Sequence, residues 1–210
     1  MVGVNYSSGS VVVLPVATDG SLGAATQLYQ IPGQPSAKRW MRQQEISHPH
    51  DAMFYPSGRF VAVPDKGLDR VLVFAFDGRT GQVAPANPPF AQARSGAGPR
   101  HIAFHSRLPV AWVANEMDST VTAYRWSKAK GVLTPFAVES TLPGDFNGEN
   151  TASEIMFHAP TRTLYVSNRG HDSIACYRVD ARTGAPTAFA WQSTLGEGPR
   201  HFAIEPTGRY

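Results

Sequence analysis

Short apolar runs, in which large apolar residues alternate with small or polar ones, recur along the whole chain. The runs at residues 60–63, 111–113 and 164–166 are rich in β-branched and aromatic residues, which favour strands. Gly-, Pro-, Asp- and Asn-containing segments separate the runs, and residues 56–59 (Pro-Ser-Gly-Arg) are a typical turn sequence. No long stretch has the periodicity of a helix. The pattern therefore predicts an all-β protein of short strands.

The same pattern occurs three times, in segments 48–76, 98–126 and 150–179. Three sets of equivalent residues keep spacings of 50 and 53: Phe54, Phe104 and Phe157; Asp65, Asn115 and Asn168; and Val71, Val121 and Ile174. A strand-rich repeat of this length is typical of one blade of a β-propeller. We therefore predict four-stranded antiparallel blades, fanned around a common axis.

Partial copies of the repeat lie at both ends. Residues 2–11 match a second strand, its loop and a third strand, and residues 198–210 match the start of a unit. We expect one domain over residues 1–210, with blades near 2–47, 48–97, 98–148 and 149–197 and the start of another at 198–210. About four blades are few for a propeller. We interpret the chain as part of a longer ring, with a closed four-blade ring as the alternative.

Composition narrows the functional classes. The net charge is +3, and the 19 basic residues are spread along the chain, so we expect no nucleic-acid partner. No apolar stretch is long enough to span a bilayer, so we expect no membrane partner. Cys176 is the only cysteine, which excludes an internal disulfide and favours a reducing compartment such as the cytoplasm. We expect Cys176 to be a small buried side chain.

The repeat predicts where polar side chains converge. In an antiparallel meander, the start of the first strand and the end of the second lie at the same edge of the sheet. The candidates from strand starts are His48, His50, Asp51, Arg100, His101, Ser153, Glu154, Arg200 and His201. Those from strand ends are Asp65, Lys66, Asn115, Glu116, Asn168, Arg169 and His171.

Two kinds of position are distinguishable within this set. The equivalent residues Asp65, Asn115 and Asn168 are nearly invariant, so we expect a structural role in which they accept hydrogen bonds from loop N–H groups. The next residue changes from unit to unit, as Tyr6, Lys66, Glu116 and Arg169. The residue four before the phenylalanine also changes, as His50, Arg100 and Ser153, with Arg200 at the matching place. Packing alone does not require such different side chains at equivalent positions. Each of these residues is, however, also a common choice for a solvent-exposed edge of the sheets.

The variable positions suggest a chemistry. Arg100 and Arg169 could clamp an anion, with Glu116 beside them, and His50 could act as acid or base. The sequence has no Gly-x-Ser-x-Gly elbow, His-Glu-x-x-His motif or Gly-rich phosphate loop. A calcium site built on oxygen ligands is conceivable, but neighbouring Lys66 and Arg169 would repel a cation. We expect no metal and no cofactor.

Several segments together resemble the lactonase family of seven-bladed β-propellers. They are HPHDAMFYPSGRFVAVPDKGLDRVLVF, GPRHIAFH, VANE followed by STV, GENTASEI, YVSNRGHDSI and GPRHFAIEPTGRY. The family includes one type of 6-phosphogluconolactonase and the fungal 3-carboxy-cis,cis-muconate lactonizing enzyme. Seven blades at this repeat length need roughly 350 residues. The resemblance therefore implies that a good third of the ring is absent.

The resemblance also implies a function and a site. The family's histidine, two arginines and glutamate fall on His50 (with His48 as competitor), Arg100, Glu116 and Arg169. The expected activity is hydrolysis of an anionic sugar lactone, 6-phosphogluconolactone first, within carbohydrate metabolism and the pentose phosphate pathway. The alternatives are a muconate cycloisomerase and a non-catalytic interaction propeller. We expect the remaining polar residues to bind substrate: His48, His101, Lys66, Glu154, His171, Arg200 and His201.

Overall fold

The computed structural model describes residues 1–32 and 46–210, so part of the first predicted repeat, residues 33–45, lies outside the described residues. All regular structure in these ranges is β-strand. The strands are β1 Val2–Asn5, β2 Ser10–Val13, β3 Gln27–Gln30, β4 Met53–Phe54, β5 Phe60–Asp65, β6 Arg70–Asp77, β7 Gln82–Gln92, β8 Pro99–Phe104, β9 Val110–Asn115, β10 Thr120–Trp126, β11 Leu133–Ser140, β12 Thr151–His158, β13 Thr163–Arg169, β14 Ser173–Val179 and β15 Pro186–Ser193. None of the described segments forms a helix with the length and apolar character needed to cross a bilayer.

The strands form four antiparallel meanders in chain order. The first is a three-stranded sheet, β1-β2-β3, and the others are β4-β5-β6-β7, β8-β9-β10-β11 and β12-β13-β14-β15. The prediction of four-stranded antiparallel units is confirmed for the last three sheets. The chain divides into two compact units, residues 1–99 with 127–132, and residues 100–126 with 133–210.

The core of the first unit lies between its two sheets. Val11 and Val13 of β2 pack in one cluster with Val61 and Val63 of β5. All six residues of β5 are buried, as expected for an inner strand covered on both faces. Tyr55 donates a 2.8 Å hydrogen bond to the carbonyl of Gly131, whose φ of +70° suits a glycine.

The core of the second unit is centred on Trp112. This side chain is fully buried among residues of β9, β10, β13 and β14. Its indole Nε1 donates a 2.9 Å hydrogen bond to the carbonyl of Gly184. A Cβ at Gly184 would lie 2.9 Å from the methyl groups of Val110, so the close approach requires glycine there.

The repeat also appears in the backbone conformation. Asp69, Ser119 and Asp172, in the loops between second and third strands, have φ values of 51°, 52° and 54°. Asp69 accepts hydrogen bonds from the N–H groups of Gly96 and Gly98, and Asp172 accepts one from Gly198. The loops of Asp69 and Asp172 are thereby tied to the segments that start the next repeats.

Cys176 differs from its predicted environment. It lies on β14 and is half-buried rather than fully buried, because it belongs to the less covered face of this strand, together with Ile174 and Arg178, whereas the opposite face is buried. Burial nevertheless raises the pKa of the thiol.

Candidate active site

Asp65 closes the loop that follows β5. Its Oδ1 accepts hydrogen bonds from the N–H groups of His48, Gly67 and Leu68 at 2.8, 3.0 and 3.1 Å, and its Oδ2 accepts a 2.5 Å bond from the hydroxyl of Ser47. The side chain is fully buried. Burial raises the pKa of Asp65, and the four hydrogen bonds oppose that shift. The predicted structural role of this residue agrees with its contacts.

The two equivalent asparagines use other partners, so the expectation of loop N–H donors is wrong for them. Asn115 donates to the hydroxyls of Thr120 and Thr122, and its Oδ1 has no hydrogen-bond partner in the described residues. Asn168 donates to the carbonyl of Thr141 and accepts from Asn150. An amide carries its own donors, which a carboxylate lacks, and it uses them on acceptors nearby.

A histidine cluster (Tyr6, His48, His50 and Lys66) lies at the strand ends of the first unit. His48 is buried, stacks on Tyr6 with ring centroids 4.6 Å apart, and places Nδ1 3.2 Å from the Tyr6 carbonyl. His50 is half-buried and meets Tyr6 edge-on at 5.6 Å. Lys66 is buried, and its N–H donates to the carbonyl of His48. His50 is thus the more accessible imidazole of the predicted pair.

An arginine–glutamate cluster (Arg100, Glu116 and Arg169) lies at the strand ends of the second unit. Arg100 is the second residue of β8, Arg169 ends β13, and Glu116 directly follows β9. Oε2 of Glu116 lies 3.0 Å from Nε of Arg100 and 3.3 Å from Nη2 of Arg169. The structure therefore brings together three of the four predicted catalytic side chains.

Burial sets the electrostatics of this cluster. The Arg100 side chain is 2% exposed, that of Glu116 9% and that of Arg169 17%. Burial lowers the pKa of Arg100 to about 10; Glu116 opposes this shift, and Arg169 and Arg200 add to it. Arg100 remains cationic at neutral pH. Because two guanidiniums share one carboxylate, the cluster carries a net charge of +1, and its side chains are largely shielded from solvent.

Arg169 has one side-chain N–H donor that no described residue accepts from. Its Nη2 donates to the carbonyl of Ala152 at 3.1 Å, while its buried Nε has no hydrogen-bond partner in the part of the chain that the structure describes. Buried donors are nearly always satisfied in folded proteins. The open donor is consistent with a site for an anionic ligand.

Glu154 lies in a β-bulge. The register of β12 against β13 shifts between Ala152 and Ile155, so that Ser153 and Glu154 stand opposite the single residue Ser167. Bulges re-aim side chains next to functional sites. Oε2 of Glu154 lies 3.2 Å from Nδ1 of His101 and 2.5 Å from Nδ1 of His201. Burial raises the pKa of Glu154, but the bonds from the two imidazoles outweigh it, so the net shift is downward.

The remaining predicted residues lie closer to the surface. His171 contacts Ser173 through Nδ1 at 2.7 Å and meets the ring of Phe146 at 4.8 Å. Arg200 is exposed, and its carbonyl accepts a 2.6 Å bond from Ser153. Phe146, which lies in the long connection at residues 142–150 between β11 and β12, was not singled out by sequence reasoning. No group of three or more His, Cys, Asp or Glu side chains in the described ranges is arranged to hold a metal ion.

Comparisons with known proteins identify the family of this chain. The family model described as "Lactonase, 7-bladed beta-propeller" matches residues 1–210. A 6-phosphogluconolactonase of Bacillus subtilis is 36% identical over 204 residues, covering 97% of this chain and 56% of the relative. A 6-phosphogluconolactonase of Serratia proteamaculans is 31% identical, covering 98% and 57%.

Solved structures agree. The periplasmic gluconolactonase of Pseudomonas aeruginosa matches with a TM-score of 0.85 and 31% identity, covering 98% of this chain and 57% of that one. A putative 6-phosphogluconolactonase of Bacteroides fragilis matches with a TM-score of 0.84 and 28% identity, covering 100% and 58%. The chain thus spans a little over half the length of these relatives. The predicted propeller fold, present in part, is confirmed, and the chain belongs to the lactonase family of seven-bladed β-propellers.

Proposed function

We propose that this protein hydrolyses the ester bond of a sugar lactone, and that its substrate is 6-phosphogluconolactone. The observation that carries the proposal is the arginine–glutamate cluster, in which two largely buried guanidiniums share one carboxylate oxygen. Relatives named 6-phosphogluconolactonase, similar over nearly the whole chain, support the choice of substrate.

The two arginines hold negative charge in this proposal. With Glu116 between them, Arg100 and Arg169 have a net charge of +1, which suits the substrate phosphate or the oxyanion that develops at the carbonyl. Guanidiniums bind such groups through paired, charge-assisted hydrogen bonds. Donors fixed in place before reaction stabilise a developing charge without reorganisation. The open Nε of Arg169 is the donor available for this role.

Glu116 positions the two arginines in this proposal and does not transfer a proton. Among the four predicted catalytic residues, His50 and Glu116 are the two candidates for the base that takes a proton from water. The ionised carboxylate of Glu116 forms ion pairs with both guanidiniums, and protonation would forfeit both of them. Glu116 therefore serves to orient the arginines, and the base is an imidazole. His50 is the candidate that the family resemblance supplies.

The other polar residues form the proposed rim for an anionic substrate. Lys66 and Arg200 add positive charge, and His171, with Phe146 against it, borders the long connection at residues 142–150. We also propose a cytoplasmic location, because the lone cysteine suits a reducing compartment. The Pseudomonas relative is named a periplasmic gluconolactonase.

A muconate cycloisomerase is the second candidate, since the same two guanidiniums suit the carboxylates of a muconate. Three substrates separate the possibilities: 6-phosphogluconolactone, unphosphorylated gluconolactone and a carboxymuconate. We expect turnover of the first above its spontaneous hydrolysis. Cycloisomerisation of the muconate alone would instead establish the alternative.

The matched variants are Arg100→Gln and Arg125→Gln. Arg125 is exposed and lies over the ring of Phe136, so its loss leaves the cluster intact. We expect Arg100→Gln to reduce kcat/KM by roughly 100-fold and Arg125→Gln to leave it unchanged. Equal rates in both variants would remove the arginines from the reaction. Recovery of a stoichiometric protein partner without turnover of any of the three substrates would favour an interaction propeller.

A further inference from the structure

Glu154 joins two copies of one short sequence. Gly-Pro-Arg-His occurs at residues 98–101 and again at residues 198–201. The last residue of each copy places its imidazole Nδ1 on the same oxygen, Oε2 of Glu154, at 3.2 Å for His101 and 2.5 Å for His201. Two equivalent positions of the repeat therefore meet on one carboxylate.

The carboxylate is held from its other side. Oε1 of Glu154 accepts a 3.1 Å bond from the N–H of Ile155, and the N–H of Glu154 donates to the hydroxyl of Ser167 at 3.0 Å. The residue is 7% exposed and belongs to the bulge of β12. Oε2 is consequently fixed in place before any substrate arrives.

This contact selects one tautomer of the ring. An ionised carboxylate only accepts hydrogen bonds, so a neutral imidazole that bonds it through Nδ1 carries its proton there. The net lowering of the Glu154 pKa keeps this carboxylate ionised at neutral pH. The lone pair of the ring is then on Nε2, the atom that can take up a proton.

The two imidazoles differ in what faces Nε2. Nε2 of His101 lies 3.2 Å from Nη1 of Arg100, a donor that occupies its lone pair. His201 makes no hydrogen bond through Nε2 within the described residues, and 68% of its side chain is exposed in this chain. His201 is thus the ring suited to proton transfer, whereas His101 supports the carboxylate.

The pair is connected to the arginine–glutamate cluster. Successive contacts of 2.5–3.3 Å form one row of side chains: Arg169, Glu116, Arg100, His101, Glu154 and His201. An anion-binding pair and an oriented imidazole therefore occur in the same row. The other charged or titratable groups of this row are His101 and Arg100 of β8, followed by Glu116 and Arg169, and Arg200 precedes His201 in the chain.

We propose that His201 is the general base of the reaction and that Glu154 is the residue that positions it. The proposal rests on the proposed lactone hydrolysis. Nε2 of His201 takes a proton from water as the water oxygen bonds to the lactone carbonyl carbon and the carbonyl π electrons move to its oxygen. The carbonyl then re-forms, the ring C–O bond breaks, and the ring oxygen leaves with the proton from Nε2. The product is the hydroxy acid, which loses its carboxyl proton to solvent.

Kinetics of His201→Gln and Glu154→Gln test the roles. His201 is exposed, so its variant is expected to fold. We expect His201→Gln to lower kcat about 100-fold with little change in KM, and to abolish the loss of kcat at acidic pH that reports an imidazole base. Glu154→Gln should lower kcat by a similar factor but keep a titrating imidazole. The control is His158→Gln, at the far end of β12 about 13 Å along the strand, which should retain wild-type kinetics.

A spectroscopic measurement gives a readout independent of activity. In protein labelled with ¹⁵N-histidine, the ring signals assigned by their loss in His201→Gln should show the Nδ1–H tautomer in the wild type. Glu154→Gln should remove that preference. An Nε2–H tautomer at His201 in the wild type would overturn the proposal.

The remaining outcomes separate the two proposals. Wild-type hydrolysis with full kcat in His201→Gln overturns the role of His201 and leaves the lactonase proposal standing. Loss of the acidic pH dependence in His50→Gln, and not in His201→Gln, assigns the base to His50 and has the same consequence. No hydrolysis by the wild-type protein overturns both proposals.

Discussion

Two neighbouring positions lie where the second strand of each repeat ends, and they behave differently. At the first, Asp65, Asn115 and Asn168 are fully buried and bond mainly to their own or adjoining loops. At the second, Glu116 and Arg169 make ion pairs across strands, to each other and to Arg100. The first position, where the residue type recurs, stabilises loops through hydrogen bonds. The second position, where the residue type changes, brings charged side chains together. In this chain, a residue type that recurs at equivalent positions of the repeat therefore indicates a structural role, whereas a residue type that changes there indicates a role in the site.

The residues at the first position share one location in the repeat, but their hydrogen bonding differs. Asp65 only accepts hydrogen bonds, Asn115 donates to two hydroxyls, and Asn168 does both. Each solution matches the partners its loop offers. A buried polar group needs some partner far more than it needs one particular partner.

The largest expected effect on stability is at the first position. Asp65→Ala removes the acceptor of three backbone N–H groups and one hydroxyl, all in a buried loop. Since each buried unsatisfied group costs about 1–3 kcal/mol, we expect the free energy of unfolding to fall by about 4 kcal/mol. Urea unfolding followed by circular dichroism measures this loss.

Asp65→Asn is the matched control. All three backbone N–H groups bond Oδ1, which asparagine retains, and an amide at Oδ2 can donate to the Ser47 hydroxyl. We expect a loss within about 1 kcal/mol. A loss as large as that of the alanine variant would mean that the charge, not the hydrogen bonds, holds this loop.

The second position should show the reverse behaviour. Arg169→Met leaves Glu116 paired with Arg100 and relieves the repulsion between the two guanidiniums. We expect the free energy of unfolding to change by no more than about 1 kcal/mol. The rate of lactone opening should nevertheless fall by roughly 100-fold or more, about 3 kcal/mol of transition-state stabilisation. A variant that loses stability and keeps its rate would erase the distinction between the two positions.

Sequence reasoning recovered the repeat, the strands and the edge at which polar residues meet, because each depends on periodicity. It also paired Glu116 with the two arginines, since equivalent strand ends must meet at one edge. It missed the partners of Asn115 and Asn168, because donor and acceptor choice depends on rotamers that no spacing encodes. It placed Glu154 and His201 on the substrate rim, yet the link between them depends on a bulge. One inserted residue in one strand leaves the hydrophobic period intact and redirects the side chain.

The smallest predicted effect compares the pH dependence of Asp65 and Glu154. Burial raises the pKa of Asp65, so the folded state holds its proton to higher pH, and its contribution to stability declines as pH rises above its ordinary value of 3.8. Burial also raises the pKa of Glu154, but the imidazole contacts lower it overall. Its stabilising contribution is therefore present above the ordinary value of 4.5 and is lost as pH falls through the lowered folded value.

The two isosteric variants should consequently diverge with opposite signs. Relative to the wild type, Asp65→Asn should gain stability as pH rises from about 3.5 to 7, and Glu154→Gln should lose it. Urea midpoints at several pH values measure both differences, and the shared wild-type curve cancels every other titrating group. Parallel slopes would mean that the imidazole contacts do not favour the ionised form of Glu154, and the buried loop carboxylate and the site carboxylate would then be electrostatically alike.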